Sequence, residues 1–397
     1  MTGIYHKHNI AGRLRTIVLG SFFGPEYFEF IDEASIRKPL QRVAVEINQD
    51  LEYFQQLLES HGVQVLRPQL VSVAEFKEFF NLHKHFMTPP LQPRNNHAVL
   101  GDQCYRFTKD YSSTAQCLEL YNSNIVDLTQ SNSEFFTDSL AKSICNYDPI
   151  TDTWYRKQKY QELAGPDWPS FENYIKGDRS TIPAIQQELE EFDSEFKYEN
   201  KELNTAEGPN FMVLGNRLVV DCNEYCDYAT WSKQHIPGFE VYDTINTTAS
   251  HTDGCFVIVG KNTIVGIDPL IDYQKHFPGY TVVKIPPKNY QDVLHEYQHS
   301  HSHKMKAWFI DGESHNQLLQ EYIDKYFEKY TGFSPETVFD VNVLALDENN
   351  VFVTSEISEV INPLAQQEIN CIYVPWRHRW FVDCGLHCLT LDLHRDD

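Results

Sequence analysis

The chain has 397 residues, of which 41% are apolar and 13% aromatic, so it can bury a large core in one big domain or two smaller ones. Its formal net charge of −23 disfavours nucleic acids and anionic membrane surfaces as partners, because both are bound through Lys and Arg. No early apolar run follows basic residues, and no stretch approaches the ~18 uninterrupted apolar residues of a membrane span, so we expect neither a secretory signal nor a membrane segment.

A recurrent pattern along the chain joins a β-branched apolar run, a short turn and a second apolar run. Gly, Asn or Asp stands at the turns, where positive φ is often needed, so each segment predicts a β-hairpin. The five segments are TIVLGSFFG (16–24), HAVLGDQCYRF (97–107), FMVLGNRLVV (211–220), FVIVGKNTIVG (256–266) and NVLALDENNVFVT (342–354). With helices between them, these units predict a repeated α/β module closed around a centre.

Apolar residues at helical spacing separate the hairpins. Residues 41–61 fit one face of a long helix, and residues 316–330 form a second helical candidate. The region from about 110 to 205 is the largest irregular piece and is rich in Asn, Ser, Asp and Tyr. It ends in the acidic run ELEEFDSEF, which we interpret as a solvated helix face.

Polar residues directly precede three of the hairpins. In a closed repeat these approach segments converge at one end of the central axis, which would unite a carboxylate, a histidine and an aspartate from distant parts of the chain. Any one of them alone would be interpreted as a turn or edge residue, but their shared position favours a site. They are Arg94 and Asn95 before the second hairpin, Glu207 and Asn210 before the third, and His251 and Asp253 before the fourth.

The nine cysteines are an odd number and are scattered, which predicts mostly reduced thiols and a cytoplasmic protein. Cys222 and Cys226 form C-x-x-x-C, but no second pair follows at zinc-finger spacing, so we interpret them as small buried hydrophobes.

The C-terminal segment FVDCGLHCLTLDLHR, residues 381–395, contains a Gly-Leu-His-Cys step that opens an alternating strand. Gly385 permits a tight turn, and the turn places Cys388 at the start of the strand. A thiol in that position becomes a nucleophile if a cation or a nearby histidine lowers its pKa. The alternative is a buried, inert cysteine, which is common beside apolar residues.

These motifs closely resemble those of the amidinotransferases, the glycine amidinotransferase-like branch of the pentein superfamily. The family's C-terminal pattern Gly-Gly-x-x-His-Cys-x-Thr-x-Asp-x-x-Arg is similar to CGLHCLTLDLHR at 384–395, and its His-x-Asp-x-x-Phe to HTDGCF at 251–256. DVNVLALDENNVFV at 340–353 is similar to its Asn-Val-Leu hairpin, and HGVQVLRP at 61–68 to part of its N-terminal region. The resemblance covers most of the chain and is weakest over about 110–205.

The resemblance implies an α/β fold, the pentein-type five-bladed α/β propeller with pseudo-fivefold hairpin and helix modules. It implies one amidinotransferase domain over residues 1–397, with a diverged, insertion-rich region at about 110–205. A His-rich insertion is expected at about 290–335. Family members are often dimers, and this is the sole basis for expecting a homodimer.

The resemblance also implies a mechanism. Cys388 would attack the guanidinium carbon of a donor, and His251 would protonate the leaving amine and later deprotonate the acceptor amine. Glu207 would hold and polarise this histidine, and Asp253 would bind the guanidinium through paired charge-assisted hydrogen bonds. Further expected substrate-binding residues are Asn95, Asn210, Asp340, Asn342 and His387.

The reaction implied by the resemblance passes an amidino group from a guanidino donor, expected to be L-arginine, to an amine through an amidino-cysteine, with no cofactor and no metal. The sequence departs from the family pattern in the substrate pocket. Arg94-Asn95 stands where the family usually has Arg-Asp, and Cys384-Gly385 replaces a glycine pair. The segment GIDPLIDY lacks the arginine that binds the donor's carboxylate in the family.

The stretch HEYQHSHSH at 295–303 contains the zinc-protease pattern His-Glu-x-x-His. A metallohydrolase would use His295 and His299 as zinc ligands, Glu296 as general base and Glu321 as a third ligand. The flanks are polar instead of apolar, and the motif is short, so we favour an exposed helix or loop in an insertion. Incidental metal binding at the surface is a better interpretation than a catalytic zinc.

Two other functions stay open beside amidino transfer. Water as acceptor would make the protein a guanidine hydrolase of the arginine deiminase type, since both reactions share their first half. A non-catalytic pentein that binds a guanidino compound or a protein is the third hypothesis. Cys388, His251 and Glu207 argue against it, because a binding module does not need all three.

Overall fold

Short strands alternate with helices along the described part of the chain. The computed structural model describes residues 3–108, 113–148, 153–156, 206–221, 227–245, 247, 251–267, 272–285, 306–327, 340–356 and 358–396. The His-rich stretch 295–303, the acidic run ELEEFDSEF, and Cys222 and Cys226 lie outside these residues, as do residues 268–271 of the segment GIDPLIDY.

The strands are β1 (Leu14–Leu19), β2 (Gln64–Leu66), β3 (His97–Leu100), β4 (Gln103–Arg106), β5 (Ile125–Asp127), β6 (Cys145–Asp148), β7 (Thr153–Arg156), β8 (Phe211–Leu214), β9 (Arg217–Asp221), β10 (Val241–Ile245), β11 (Phe256–Gly260), β12 (Thr263–Gly266), β13 (Thr281–Lys284), β14 (Leu344–Asp347), β15 (Asn350–Val353), β16 (Asn370–Tyr373) and β17 (Thr390–Arg395). The α-helices are α1 (Ala34–Ser60), α2 (Val73–His83), α3 (Thr114–Tyr121), α4 (Thr129–Ile144), α5 (Tyr228–His235), α6 (Tyr273–His276), α7 (Gln317–Tyr326), α8 (Ser358–Gln366) and α9 (Arg379–Val382). Short 3₁₀ turns occupy Pro25–Phe28, Gly208–Asn210, Thr252–Gly254 and Lys306–Phe309.

Within the described residues the strands form five three-stranded sheets and one two-stranded sheet. The orders are β17-β1-β2, β3-β4-β5, β10-β9-β8, β11-β12-β13, β14-β15-β16 and β6-β7. In every three-stranded sheet the central strand pairs antiparallel with one neighbour and parallel with the other. A helix precedes each parallel strand, because a parallel pair needs a crossover connection. In four of these sheets the unit is therefore a hairpin, a helix and a third strand, and in β17-β1-β2 two distant strands take the place of the hairpin.

Four of the five predicted hairpins are confirmed, namely those at 97–107, 211–220, 256–266 and 342–354. Gly101 and Gly215 have φ of 65° and 59° at the first position of their turns. The favoured two-residue hairpin turns have positive φ at this position, which glycine adopts without strain.

The predicted hairpin at 16–24 is wrong. Strand β1 ends at Leu19, and its antiparallel partner is β17 at the other end of the chain. Phe22 and Phe23, which were expected to form the returning strand, are buried in the core instead. The two ends of the chain thus complete one sheet, and a local pattern contains no information about so distant a partner.

The long predicted helix is confirmed within α1, and residues 316–330 contain α7. In α1, buried residues such as Leu40, Ala44, Ile47 and Leu51 recur every three or four positions and face the largest hydrophobic cluster. The description of 110–205 as irregular is wrong for the residues that are described there. Helices α3 and α4 lie in that region, with β5 between them and β6 and β7 after them.

The C-terminal strand β17 is buried on both faces. Leu391 and Leu393 are fully buried, as expected for an alternating strand, but the intervening Asp392 is also fully buried. The side chain of a buried aspartate needs charged or hydrogen-bonding partners, and these prove to belong to the site described below. Among the described helices, none combines the length and the apolar character that a membrane crossing requires.

Candidate active site

Five segments, each directly before β3, β8, β11, β14 or β17, are joined in a ring by hydrogen bonds. Buried backbone groups need such partners, and here each segment supplies one to the next. Gly208 N donates to Asn95 O at 3.1 Å, Thr252 Oγ1 to Pro209 O, Asn342 Nδ2 to Asp253 O at 3.0 Å, His387 N to Asn342 O at 3.2 Å, and Arg94 Nε to His387 O at 3.2 Å. The ring brings the polar residues before the hairpins to one place, as the sequence predicts.

Two glycines are required by the close approach of these segments. A Cβ on Gly208 would lie 2.2 Å from the carbonyl oxygens of both Arg94 and His97. A Cβ on Gly385 would lie 2.6 Å from Cβ of Asn342. Neither approach is possible for a larger residue without a backbone shift, so these glycines permit the packing that surrounds Cys388.

Cys388 is buried and 8% exposed, and its thiol faces an amide and a carboxylate. Asn342 Nδ2 lies 3.1 Å from Cys388 Sγ, and Asn342 Oδ1 accepts from the backbone N of Cys388 at 3.0 Å. Asp253 Oδ2 lies 3.6 Å from the sulfur. Burial and the negative charge of Asp253 raise the pKa of the Cys388 thiol well above its usual range. The thiol is therefore neutral in the free protein at physiological pH.

Asp253 is 2% exposed and forms a close pair with His387, whose Nδ1 lies 2.7 Å from Asp253 Oδ2. Burial disfavours the carboxylate, but the hydrogen bond and charge of His387, with His251 and Arg94, outweigh it and lower the pKa of Asp253 to about 2. Burial and then the charge of Arg94 lower the pKa of His387 to about 4. At neutral pH the pair is thus a carboxylate and a neutral imidazole that donates from Nδ1.

Three buried polar atoms of the ring have no hydrogen-bond partner among the described residues. They are Asp253 Oδ1, Asn95 Oδ1 and His387 Nε2. Because Nδ1 of His387 carries the donated proton, its Nε2 is an acceptor, so all three atoms are acceptors. The side-chain Nδ2 of Asn95 donates to Gln92 Oε1 at 2.7 Å. Buried acceptors without donors are costly, and they fit a ligand group that only donates.

His251 and Glu207 form the second histidine–carboxylate pair of the site. His251 Nε2 lies 2.9 Å from Glu207 Oε2, and their side chains are 24% and 26% exposed. Each residue stands immediately before a 3₁₀ turn, Glu207 before Gly208–Asn210 and His251 before Thr252–Gly254. A carboxylate in this position orients the imidazole. The pair is suited to carry a proton between a bound ligand and solvent.

The other predicted binding residues have structural contacts of their own. Asn210 Oδ1 accepts from the backbone N of Glu207 at 2.8 Å, so this side chain holds the turn that presents Glu207. Asp340 Oδ1 lies 3.5 Å from Thr354 Oγ1 and 3.9 Å from Arg379 Nη2. Asn342 is fully buried and contacts both Cys388 and Asp253. Their proposed contacts with substrate stay predictions.

A cluster of buried charges, which the sequence patterns did not reveal, lies against the turn that contains Cys388. Asp392 is fully buried and contacts Arg94 Nη2 at 2.9 Å, Arg395 Nε at 2.8 Å and Lys7 Nζ at 3.4 Å. Burial opposes ionisation of Asp392, but Arg395, Lys7 and Arg94 outweigh it and hold its pKa well below its usual range. Burial lowers the pKa of Lys7 to about 8.

This cluster anchors the turn that contains the thiol, because Arg94 Nε also donates to Thr390 O at 3.0 Å, besides its bond to His387 O. Arg94 itself is 3% exposed and is directed into the protein by these bonds. The C-terminal motif Thr-x-Asp-x-x-Arg contains Thr390, Asp392 and Arg395. The one sign of this cluster in the sequence was the polar Asp392 between two leucines of an alternating strand.

No protein-family model and no curated protein matches the sequence. Solved structures do match. SxtG, an amidinotransferase from Microseira wollei in the saxitoxin biosynthetic pathway, is 14% identical with a TM-score of 0.55, over 99% of this chain and 98% of its own. The inosamine-phosphate amidinotransferase from Streptomyces griseus is 13% identical with a TM-score of 0.55, over 99% of this chain and 97% of its own. The chain therefore has the α/β fold of these amidinotransferase structures.

Proposed function

We propose that this chain, which has the fold of known amidinotransferases, is itself an amidinotransferase that works through an amidino-cysteine at Cys388. The observation that carries the proposal is the set of unpaired, buried acceptors beside a buried thiol, led by Asp253 Oδ1. A guanidinium group has only hydrogen-bond donors and a positive charge. It can therefore donate to these acceptors and neutralise the charge of the Asp253 carboxylate.

The proposed fold is a five-bladed α/β propeller in which each three-stranded sheet is one blade. The hydrogen-bonded ring of five approach segments supports this arrangement, since each blade contributes one segment to it. The blade β17-β1-β2 contains both ends of the chain, which would close the propeller. The site then lies at one end of the central axis.

In the proposed mechanism the substrate itself activates the nucleophile. The charge of Asp253 holds the thiol in its neutral form, and a bound guanidinium cation would cancel that charge within a few ångströms of the sulfur. The thiol would then lose its proton to solvent, and Asn342 Nδ2 would donate to the thiolate. A reactive thiolate would thus form only when a donor is bound.

The thiolate would attack the guanidinium carbon, and a C–S bond forms as the bond from that carbon to the donor's amine breaks. His251, protonated and held by Glu207, would give its proton to the leaving amine. The acceptor amine would then attack the amidino carbon and return a proton to His251 as the C–S bond breaks. One histidine therefore serves both halves, and the thiolate is regenerated for the next turn.

L-arginine is the proposed donor, and the acceptor is an amine. Both partners are small molecules, and the proposed enzyme is cytoplasmic, needs no cofactor or metal for this reaction, and forms a homodimer. A hydrolase that shares this first half would use water in the second half and release urea, whereas a deiminase would release ammonia first and then citrulline.

The deciding experiment is intact-protein and peptide mass spectrometry after the purified protein is mixed with L-arginine and no acceptor. We expect a mass increase of one amidino group on the peptide that contains Cys388. Cys388→Ser must not gain this mass, while Cys117→Ser, which removes a partly exposed free thiol elsewhere, must react like the parent protein.

The absence of an adduct on the folded protein, with no ornithine released, would contradict arginine as donor. Formation of urea with ornithine, or of citrulline with ammonia, in the same tube would instead identify a hydrolase. An adduct on another cysteine would contradict the assignment of Cys388 as nucleophile.

A further inference from the structure

Three side chains that can bind a metal ion lie together outside the site described above, two on the N-terminal segment and one in the turn between β3 and β4. His6 Nδ1 and His8 Nε2 lie 2.7 and 3.0 Å from the same oxygen, Oδ1 of Asp102. The three potential ligand atoms all lie within 4.8 Å of one another, and no other such group occurs among the described residues. The side chains are 28%, 36% and 69% exposed, so an ion from solvent has direct access.

The backbone around these residues is held firmly, although the side chains reach solvent. Lys7 N donates to Gly101 O at 2.9 Å, and Gly101 N donates to Lys7 O at 3.0 Å. Lys7 points inward to Asp392, so its two neighbours in an extended segment point outward on the same face. Asp102 follows Gly101 in the turn between β3 and β4, which places its carboxylate between the two imidazoles.

We infer that His6, His8 and Asp102 form a binding site for a divalent transition-metal ion of the Zn²⁺ class. Two imidazole nitrogens and one carboxylate oxygen are a preferred ligand set for such an ion, with bonds of about 2.0–2.2 Å and water in the remaining position. The ligand atoms need to separate slightly to admit the ion, and exposed side chains can do so at low cost. The net charge of −23 favours accumulation of cations near the protein.

The site lies away from the thiol, because Asp102 follows β3 whereas Asn95, in the Cys388 ring, precedes it. A bound ion would link the N-terminal segment to the tip of the first described hairpin. It would therefore stabilise the folded chain by binding to it and not to the unfolded chain. The inference does not depend on the proposed amidino transfer.

A second His-x-His pair serves as a matched control. His83 and His85 have the same spacing, with ring centroids 5.7 Å apart, but His85 Nδ1 is 3.0 Å from Phe86 O, and no carboxylate in the described part of the chain joins the two as a potential ligand group. A double variant of this pair removes the same number of imidazoles as a double variant of the proposed site.

The test is histidine carbethoxylation by diethyl pyrocarbonate, with zinc sulfate as the probe, on chelator-treated full-length protein analysed by peptide mass spectrometry. Trypsin cuts after Lys7 and Arg13, so His6 and His8 fall in separate peptides, both distinct from residues 295–303. We expect zinc to slow modification of both histidines at low zinc concentration. Asp102→Asn should raise the zinc concentration needed for protection about tenfold or more, since even indirect partners of ligands contribute that much.

Thermal unfolding gives the second readout. Zinc should raise the Tm of the parent protein and of the His83→Ala/His85→Ala variant, but not that of the His6→Ala/His8→Ala variant. Absence of zinc protection at His6 and His8 would overturn the proposal. Equal protection in Asp102→Asn and the parent would overturn it too, since the carboxylate would then not be a ligand.

Discussion

Asp253 Oδ2 lies 2.7 Å from His387 Nδ1, although the two residues are 134 positions apart in the chain. This pair links the proposed guanidinium-binding carboxylate to the residue directly before the nucleophile Cys388. Because both partners are buried, the protonation state of each affects the stability of the whole ring.

The first prediction concerns acid stability. The folded-state pKa of His387 is about 4, below its ordinary value of 6.5, so the unfolded chain takes up this proton first as pH falls from 6.5 to 4. Asp253, with a pKa lowered from 3.8 to about 2, adds a further loss of stability as pH falls from 3.8 to 2. Stability should therefore decline as pH falls below 6.5, and both contributions are constant above it.

The measurement for this prediction is the urea midpoint between pH 6.5 and pH 4 for the parent and for His387→Asn, which cannot titrate but can still donate near the Nδ1 position. The parent should lose more stability over this window than the variant. An equal loss in both proteins would mean that His387 does not have a lowered pKa in the folded state.

The second prediction concerns the reactivity of the thiol. Burial and Asp253 raise the pKa of Cys388, so alkylation by iodoacetamide in the absence of substrate should be slow at neutral pH and should increase well into the alkaline range. Asp253→Asn should increase the rate at neutral pH, because it removes the nearby negative charge. The rate is measured at the Cys388 peptide by mass spectrometry, and fast alkylation of the parent at neutral pH would contradict the proposed substrate activation.

The third prediction concerns the proton carrier. His251→Ala should lower kcat by about 10²–10⁴-fold, since a positioned acid or base contributes about that much and both half-reactions depend on it. Glu207→Gln should lower kcat less than His251→Ala does, because the amide still orients the imidazole although it carries no charge to stabilise the protonated ring. Steady-state kinetics with arginine and a panel of amines would compare kcat of the two variants. A larger loss of kcat in Glu207→Gln than in His251→Ala would contradict these roles.

The fourth prediction concerns Asn342, whose Nδ2 donates to Cys388 Sγ while its Oδ1 accepts from the Cys388 backbone. Asn342→Asp keeps the acceptor and replaces the donor with an oxygen. It should slow adduct formation about 10- to 150-fold, since a hydrogen bond to a charged group contributes about 1.5–3 kcal/mol. The pH dependence of alkylation should shift to higher pH in the same variant, and an unchanged profile would show that Asn342 does not stabilise the thiolate.

The fifth prediction concerns the donor pocket. Asn95→Asp places a second carboxylate at a partly buried residue whose side-chain oxygen is buried without a partner in the described structure, and it should lower KM for arginine. The free protein should lose stability, because the added charge is buried and unpaired until the donor binds. Asn96→Asp makes the same charge change at the neighbouring residue and should not lower KM. Weaker arginine binding in Asn95→Asp would contradict this account of the position.

Local patterns in the sequence were sufficient for elements whose partners are near in the chain. The hairpin at 97–107 contains both of its strands and its turn glycine, so its apolar runs and Gly101 predict it. The hairpin predicted at 16–24 was wrong for the opposite reason, because β1 pairs with β17, which lies at the other end of the chain. A β-branched run shows that a strand forms, but it does not show which strand lies beside it.

The candidate site likewise contains residues that the sequence identified and residues that it did not. Cys388, His251, Glu207 and Asp253 were identified from motifs and from their position before strands, and the structure brings their segments together. The cluster of Lys7, Arg94, Asp392 and Arg395 was missed, because Lys7 and Arg94 are far in the chain from Asp392 and Arg395.

The sequence by itself determined the repeated hairpins, the long helix and the residue types that carry the proposed chemistry, because these depend on the order of neighbouring side chains. Only the tertiary structure decided which groups lack partners and how their charges act on one another. The neutral state of the Cys388 thiol follows from burial and from Asp253 at 3.6 Å. Burial and distance in space are properties of the packed chain, and the order of residues does not contain them.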